Sequence, residues 1–298
     1  MRFRTEFQPD RAPFVLNPQK PVVLVGSCFS ANIASRMKRH LWKAVTPLGT
    51  LYNPVSIFQA LDMLLDEERG TERFENSLFQ YSGLWHSYEF DSSFSSVKRE
   101  DCISEFLMRK KELSEALSEG APLIVTFGTS IVYYLTDNGN PVGNCHKLSA
   151  KKFFTQRISE TEILTFADSL TGKLRQRFPE LKIIYTVSPV RHIKDGFIRN
   201  SRSKAVLLLA VEEIVEKDEN CHYFPAFEIL NDDLRDYRFY ATDLVHPSEE
   251  AVDYIWDIFT RTYLDCEGMA IIKEGEKIYK ANNHRPMTGA LGKSLQPE

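Results

Sequence analysis

The 298-residue chain has no Cys-x-x-C pair, and its five cysteines, Cys28, Cys102, Cys145, Cys221 and Cys266, are odd in number and irregularly spaced. That pattern argues against a disulfide framework or a cysteine-rich zinc site. It predicts a reducing, cytoplasmic setting. No run of about 18 apolar residues occurs, the length a membrane-spanning helix requires. The opening residues Met1-Arg2-Phe3-Arg4-Thr5-Glu6 lack the apolar core of a secretory leader. Neither sign of charge dominates: 37 Lys and Arg stand against 41 Asp and Glu, a net charge of −4. Nucleic acid and membrane are therefore not expected partners. There is no internal repeat, no low-complexity segment and no clear linker.

What is present is an ordinary globular mixture, 43% hydrophobic and 26% charged. A chain of this length buries enough surface to fold without metal or disulfide staples. Val22-Val23-Leu24-Val25 is a short continuous apolar run ended by Gly26. Such a run reads as a strand buried on both faces. Leu123–Phe127 ended by Gly128, Ile183–Val187 ended by Ser188-Pro189, and Cys221–Phe224 ended by Pro225 repeat the pattern. Helical periodicity fills the intervals. Phe29, Ile33, Met37 and Leu41 share one face, and further helices are expected near 102–118, 159–178 and 201–217. Strands alternating with helices predict a three-layer αβα sandwich around a mostly parallel sheet. We expect one domain over residues 1–268. It has excursions at 74–98 (aromatic- and serine-rich) and 131–147 (a hairpin turning at Asp137-Asn138-Gly139-Asn140). A C-terminal helix and tail follow over 269–298.

Ligands of an open parallel sheet bind beyond the carboxyl ends of its strands. Gly26-Ser27-Cys28, Gly128-Thr129-Ser130 and Ser188-Pro189-Val190-Arg191 should meet there. Ser27 or Cys28 would lie at a helix N-terminus, where free N–H groups favour a thiolate and an oxyanion. His246 precedes the amphipathic helix of Ala251, Ile255, Ile258, Phe259 and Tyr263. Asp243, three residues earlier, can accept from its Nδ1–H and leave Nε2 as a base. A nucleophile at a strand-to-helix turn plus an oriented histidine is the arrangement of covalent acyl transfer. Either Cys28 or Ser27 could be the nucleophile.

Val23-Leu24-Val25-Gly26-Ser27-Cys28-Phe29-Ser30 resembles the name-giving motif of the GSCFA family, which is placed with the SGNH, or GDSL-like, hydrolases and esterases. The resemblance covers about residues 20 to 265. It includes Gly49…Asn53-Pro54, Leu84-Trp85-His86-Ser87, Gly128-Thr129, Gly143-Asn144-Cys145-His146-Lys147 and Thr186-Val187-Ser188-Pro189-Val190. It implies an αβα fold and ester or acyl-group chemistry without a cofactor. It also implies that Cys28 takes the nucleophile position and Ser27 that of the superfamily's Asp. Asp243 and His246 match its closing Asp-x-x-His. Gly49 aligns with a glycine that donates its N–H to the oxyanion. Ser130 stands where the Gly-x-Asn-Asp block has Asn, so Asn53 or Asn144 would have to supply the missing amide.

Other readings of these residues remain. Gly128, Thr129, Asn144, His146 and His86 are candidate substrate-binding or oxyanion groups. His86 can equally be a packed ring beside Trp85, and Asn144–His146 a polar strand end. Cys28, Cys145, His146 and His246 offer zinc-type ligands without metal-ligand spacing, and no metal is expected. The expected partner is a small-molecule or carbohydrate ester. The alternative is a binding module that holds a glycan or acylated ligand without turning it over.

Overall fold

The computed structural model describes residues 4–283. Within them the chain begins β1 (Val22–Gly26), α1 (Cys28–Arg39), β2 (Ala44–Val45), α2 (Pro54–Leu65) and α3 (Gly70–Ser77). Next come β3 (Leu78–Tyr81), β4 (Leu84–Ser87), α4 (Arg99–Ser118), β5 (Leu123–Phe127), β6 (Ile131–Leu135), β7 (Pro141–Val142) and β8 (Phe153–Arg157). The chain then runs through α5 (Glu160–Arg177), β9 (Ile183–Val187), α6 (Phe197–Lys217) and β10 (Cys221–Tyr223). It closes with α7 (Ala226–Glu228), α8 (Glu249–Tyr263) and α9 (Cys266–Asn283).

The four apolar runs become the parallel strands of one sheet in the order β10-β9-β5-β1-β2, with Ala44–Val45 as a short edge strand that the sequence did not announce. Alternation within the strands separates two cores. Val23, Val25, Leu123, Val125, Ile183, Tyr185 and Val187 pack with residues of α2, α4, α5 and α6. Val22, Leu24, Ile124 and Ile184 pack with α1, α8 and Ile272 of α9. Helices on both faces of a parallel sheet make the three-layer αβα sandwich. Both faces of every central strand are buried, which is why these strands read as unbroken apolar runs.

The excursions carry their own structure. Residues 78–87 form an antiparallel hairpin, β3 with β4. The expected hairpin after residue 131 exists as β6 with β7, and β8 joins it to give a three-stranded antiparallel sheet. The tail expected from His284 onward lies outside the described residues. No described helix is long and apolar enough to cross a membrane.

From β1 the sheet grows in both directions, to β2 on one side and to β5 on the other, so a topological switch point lies between the carboxyl ends of β1 and β5. The backbones nearly touch there. Gly26 has φ +120°, and a Cβ on it would sit 2.1 Å from the Thr126 carbonyl oxygen. That oxygen accepts from the Ser27 N–H at 3.1 Å, while the Gly26 carbonyl accepts from Leu51 N at 3.0 Å. A Gly26→Ala substitution is therefore expected to destabilise the fold by at least about 3 kcal/mol, read by urea denaturation. A loss below about 1 kcal/mol would show that the two strands can part without penalty.

Candidate active site

Ser27 is the N-cap of α1, and its Oγ accepts from Phe29 N at 3.4 Å. It is 1% exposed. Its hydroxyl is thus turned into the helix it starts. Cys28, the first residue of α1, is half-buried. Burial pushes its thiol up, Lys204 and the backbone N–H groups of Cys28 and Phe29 pull it down, and Asp243 opposes them. Of the two candidate nucleophiles, only Cys28 stands partly open.

Asp243 and His246 are joined as their spacing implied. Asp243 Oδ2 lies 2.6 Å from His246 Nδ1, and Oδ1 accepts from the backbone N–H of Val245 (2.9 Å) and His246 (3.0 Å). These hydrogen bonds hold the Asp243 carboxyl down at about 2, so it is ionised at neutral pH and accepts from Nδ1–H. Nε2 is left free. The loop is pinned at its base: Ala241 N donates to the His246 carbonyl at 2.8 Å and Ser248 N to that of Phe239 at 2.8 Å. Arg191 stacks on the Tyr240 ring at 4.4 Å and donates to its hydroxyl at 2.9 Å. Arg36 of α1, 2% exposed, reaches Asp253 at 2.8 Å and Glu249 at 2.9 Å on α8. That tie sets the spacing between the helix that begins at Cys28 and the helix that begins just after His246.

Asn53 is the N-cap of α2; its Oδ1 accepts from Ser56 N at 2.9 Å. Its Nδ2 then has no protein partner among the described residues, and it is not sealed from solvent. Gly49 is in the left-handed region (φ +66°), with the Asp91 carboxylate where a Cβ would be. The same carboxylate accepts from Thr50 N at 2.7 Å.

The backbone donors of Gly128, Thr129 and Ser130 are taken up within the protein. The amides of Gly128 (2.7 Å) and Thr129 (3.0 Å) both donate to the Tyr52 carbonyl. Ser130 is fully buried, and its N–H donates to Ser203 Oγ at 2.7 Å. The position where the superfamily pattern has an asparagine is thus filled by a small hydroxyl turned into α6. His86, Asn144 and His146 lie together where the two excursions meet. His146 Nε2 lies 2.6 Å from the Ser87 carbonyl, and its N–H is capped by Asn144 Oδ1 at 2.8 Å. His86 Nδ1 pairs with Ser95 Oγ at 2.7 Å, and the two imidazoles lie 4.5 Å apart. These contacts glue residues 143–147 to β4. Among the described residues no three His, Cys, Asp or Glu side chains converge as a metal site, so Cys28, Cys145, His146 and His246 are not assembled into one.

Beside this cluster Gly143 lets two backbones meet: a Cβ there would lie 2.4 Å from the Glu89 carbonyl. Burial pushes the Glu89 carboxyl up to about 7, opposed only by Arg73. The folded protein then holds a proton that the unfolded chain releases between pH 4.5 and 7. Stability is lost as pH rises through that window, by roughly 3 kcal/mol at 1.36 kcal/mol per unit. Urea denaturation at pH 5 and pH 8 is expected to show this loss in the wild type and not in Glu89→Gln. Equal slopes in the two proteins would refute it.

Sequence reasoning missed two groups here. Lys204 of α6 is 2% exposed. Its signal was the helical stripe it shares with Leu207, Val211 and Ile214, a lysine at a core position. His192 lies in the loop after β9 with its ring edge-on to Tyr52, the centroids 5.4 Å apart. Its Nε2 is buried without a partner and sits 3.0 Å from where a Gly128 Cβ would be. Burial, Lys204 and His246 pull it down to about 4, so it is neutral at pH 7. Only its place at a strand's carboxyl end could have marked it.

Fold and site define a doubly wound α/β protein with a cysteine at its switch-point turn and an oriented Asp–His pair on a following loop. The chain belongs to the GSCFA family, whose model matches residues 21–259. Among solved structures it is similar to a Bacteroides fragilis NCTC 9343 protein assigned provisionally as an acylhydrolase. Identity is 12%, TM-score 0.38, over 88% of this chain and 91% of that one. It is also similar to an acetyl xylan esterase from the rumen bacterium Butyrivibrio proteoclasticus. There identity is 12%, TM-score 0.33, over 83% of this chain and 64% of that one. No curated protein matches the sequence.

Proposed function

We propose that the protein is a hydrolase or acyltransferase of small-molecule or carbohydrate esters that works through an acyl-enzyme on Cys28, within the SGNH group that the sequence resembles. The observation that carries this reading is the His246 imidazole, fixed by Asp243 at 2.6 Å with no partner for Nε2 among the described residues. His246 Nε2 takes the Cys28 thiol proton, and the sulfur attacks the ester carbonyl. The tetrahedral oxyanion faces the Cys28 N–H at the start of α1 and Asn53 Nδ2. Collapse breaks the C–O bond, and His246 returns the proton to the leaving alkoxide. Water or a hydroxyl acceptor then attacks the thioester and regenerates Cys28. No cofactor enters these steps.

Mass spectrometry of the protein quenched during turnover of p-nitrophenyl acetate tests this. The expected result is acetyl on the peptide that carries Cys28. Turnover with no acyl group on that peptide would sink the reading. The engagement of the Gly128 and Thr129 amides by Tyr52 favours a second one, in which the chain binds an acylated ligand without turning it over. On that reading iodoacetamide labels Cys28 no faster than Cys102 or Cys266.

A further inference from the structure

Lys204 occupies a place that a methionine could fill at lower cost. Taking an ammonium out of water costs several kcal/mol unless a counter-charge meets it. Its Nζ donates to the carbonyl oxygens of Gly128 (2.7 Å) and Ser188 (2.6 Å), which follow β5 and β9. These are neutral acceptors. The Phe227 ring lies 5.9 Å away. Among the described residues no carboxylate pairs with it, and the ionisable group that raises its affinity for a proton is Cys28. Gly128 connects the two: a Cβ on it would lie 3.2 Å from that of Ser27, the residue before Cys28. The ammonium is thus anchored under the turn that carries the sulfur.

We propose that Lys204 is a positioning residue for the nucleophile: its buried ammonium, fixed on the Gly128 and Ser188 carbonyls, supplies the counter-charge that lets the Cys28 thiolate form inside the protein. The catalytic meaning of this rests on Cys28 as the nucleophile; the electrostatic effect does not. Lys204 acts through space, with no hydrogen bond between Nζ and Sγ. The other charged or titratable groups around the pair are Asp243, which disfavours the thiolate, Tyr52, whose phenol burial and then Cys28 push up, His192, which burial, then Lys204 and His246 keep neutral, and His246 itself. Burial pulls Lys204 itself down to about 7 and the Cys28 charge pulls it back up, so each charge favours the other.

The test is iodoacetamide alkylation of the full chain against pH, read peptide by peptide, with exposed Cys266 as internal reference. In Lys204→Met and Lys204→Gln the alkylation of Cys28 at pH 6.5–7, where Lys204 still carries its proton, should slow by about tenfold, the equivalent of one pKa unit. Cys266 should be unchanged, and Lys204→Arg should recover much of the Cys28 rate. Cys28 rates within twofold of wild type in both neutral variants would overturn the proposal. A reciprocal measurement changes the charge at position 28 instead. Replacing the thiol by a fixed anion, in Cys28→Asp, should move the Lys204 side-chain NMR titration to higher pH than in Cys28→Ser. A titration that stays in place would overturn the proposal equally. If Cys28→Ala keeps its esterase activity while these shifts occur, the catalytic reading fails and the electrostatic one stands.

Discussion

Cys28→Ala is expected to lose turnover of short-chain aryl esters by at least about 10³-fold, since removing the nucleophile of a covalent mechanism leaves only binding and oxyanion stabilisation. Its circular dichroism and thermal midpoint should stay near wild type, because the side chain is half-exposed and bridges no core elements. Ser27→Ala should behave in the opposite way. Ser27 Oγ caps α1 through Phe29 N, and the residue is 1% exposed. Losing that cap should cost about 1 kcal/mol of stability and leave turnover within about tenfold. The pair of variants decides between neighbouring residues that sequence alone cannot separate. Undiminished turnover by Cys28→Ala would remove the cysteine from the role. Lost turnover by a stably folded Ser27→Ala would hand the role to the serine.

His246→Ala carries the second large effect. A positioned general base contributes about 10²–10⁴-fold, and that factor should vanish from kcat/KM without a comparable change in stability, because the imidazole is exposed. Asp243→Asn should lose less than His246→Ala: the amide keeps the loop's shape but no longer fixes the Nδ1–H tautomer. Because burial pushes the Cys28 thiol up, the proton His246 must remove is held tightly at neutral pH. Activity should accordingly climb as pH rises above 7. Asp243, held at about 2, stays ionised throughout and adds no break to the profile. Turnover that survives in His246→Ala would count against the whole mechanism.

The fold was legible because parallel strands covered on both faces leave unbroken apolar runs. Val22–Val25, Leu123–Phe127 and Ile183–Val187 each have this form. The Asp243–His246 pair was legible for a local reason: three residues separate donor and acceptor, and one turn brings them together. Short or exposed pairings left no such trace. Ala44–Val45 is two residues long, and β8, half-exposed, has no apolar run to announce it. Gly128-Thr129-Ser130 was placed correctly at the end of a strand, but the partners of its donors are remote in sequence. Tyr52 and Ser203 decide where those N–H groups point, and no spacing rule reaches that far. Lys204 lay hidden for the same reason, since the Gly128 carbonyl it meets is 76 residues away.

Helix α9 joins the end of the described chain to the far end of α1, the helix that begins at Cys28. Gly275 lies so close to the His40 carbonyl that a Cβ would approach it to 2.1 Å. His40 Nδ1 lies 3.0 Å from the Ile272 carbonyl, and its Nε2 accepts from Trp256 Nε1 at 3.1 Å. α1 is twelve residues long, a rod of about 18 Å, held at one tip by the backbone of Thr126 and at the other by α9. The Cys28 sulfur therefore sits at the near end of a lever whose far end is clamped. Proteolytic clipping within α9 would free that end, and the Cys28 turn would feel the loss as play in its aim, without one atom of the site having been touched.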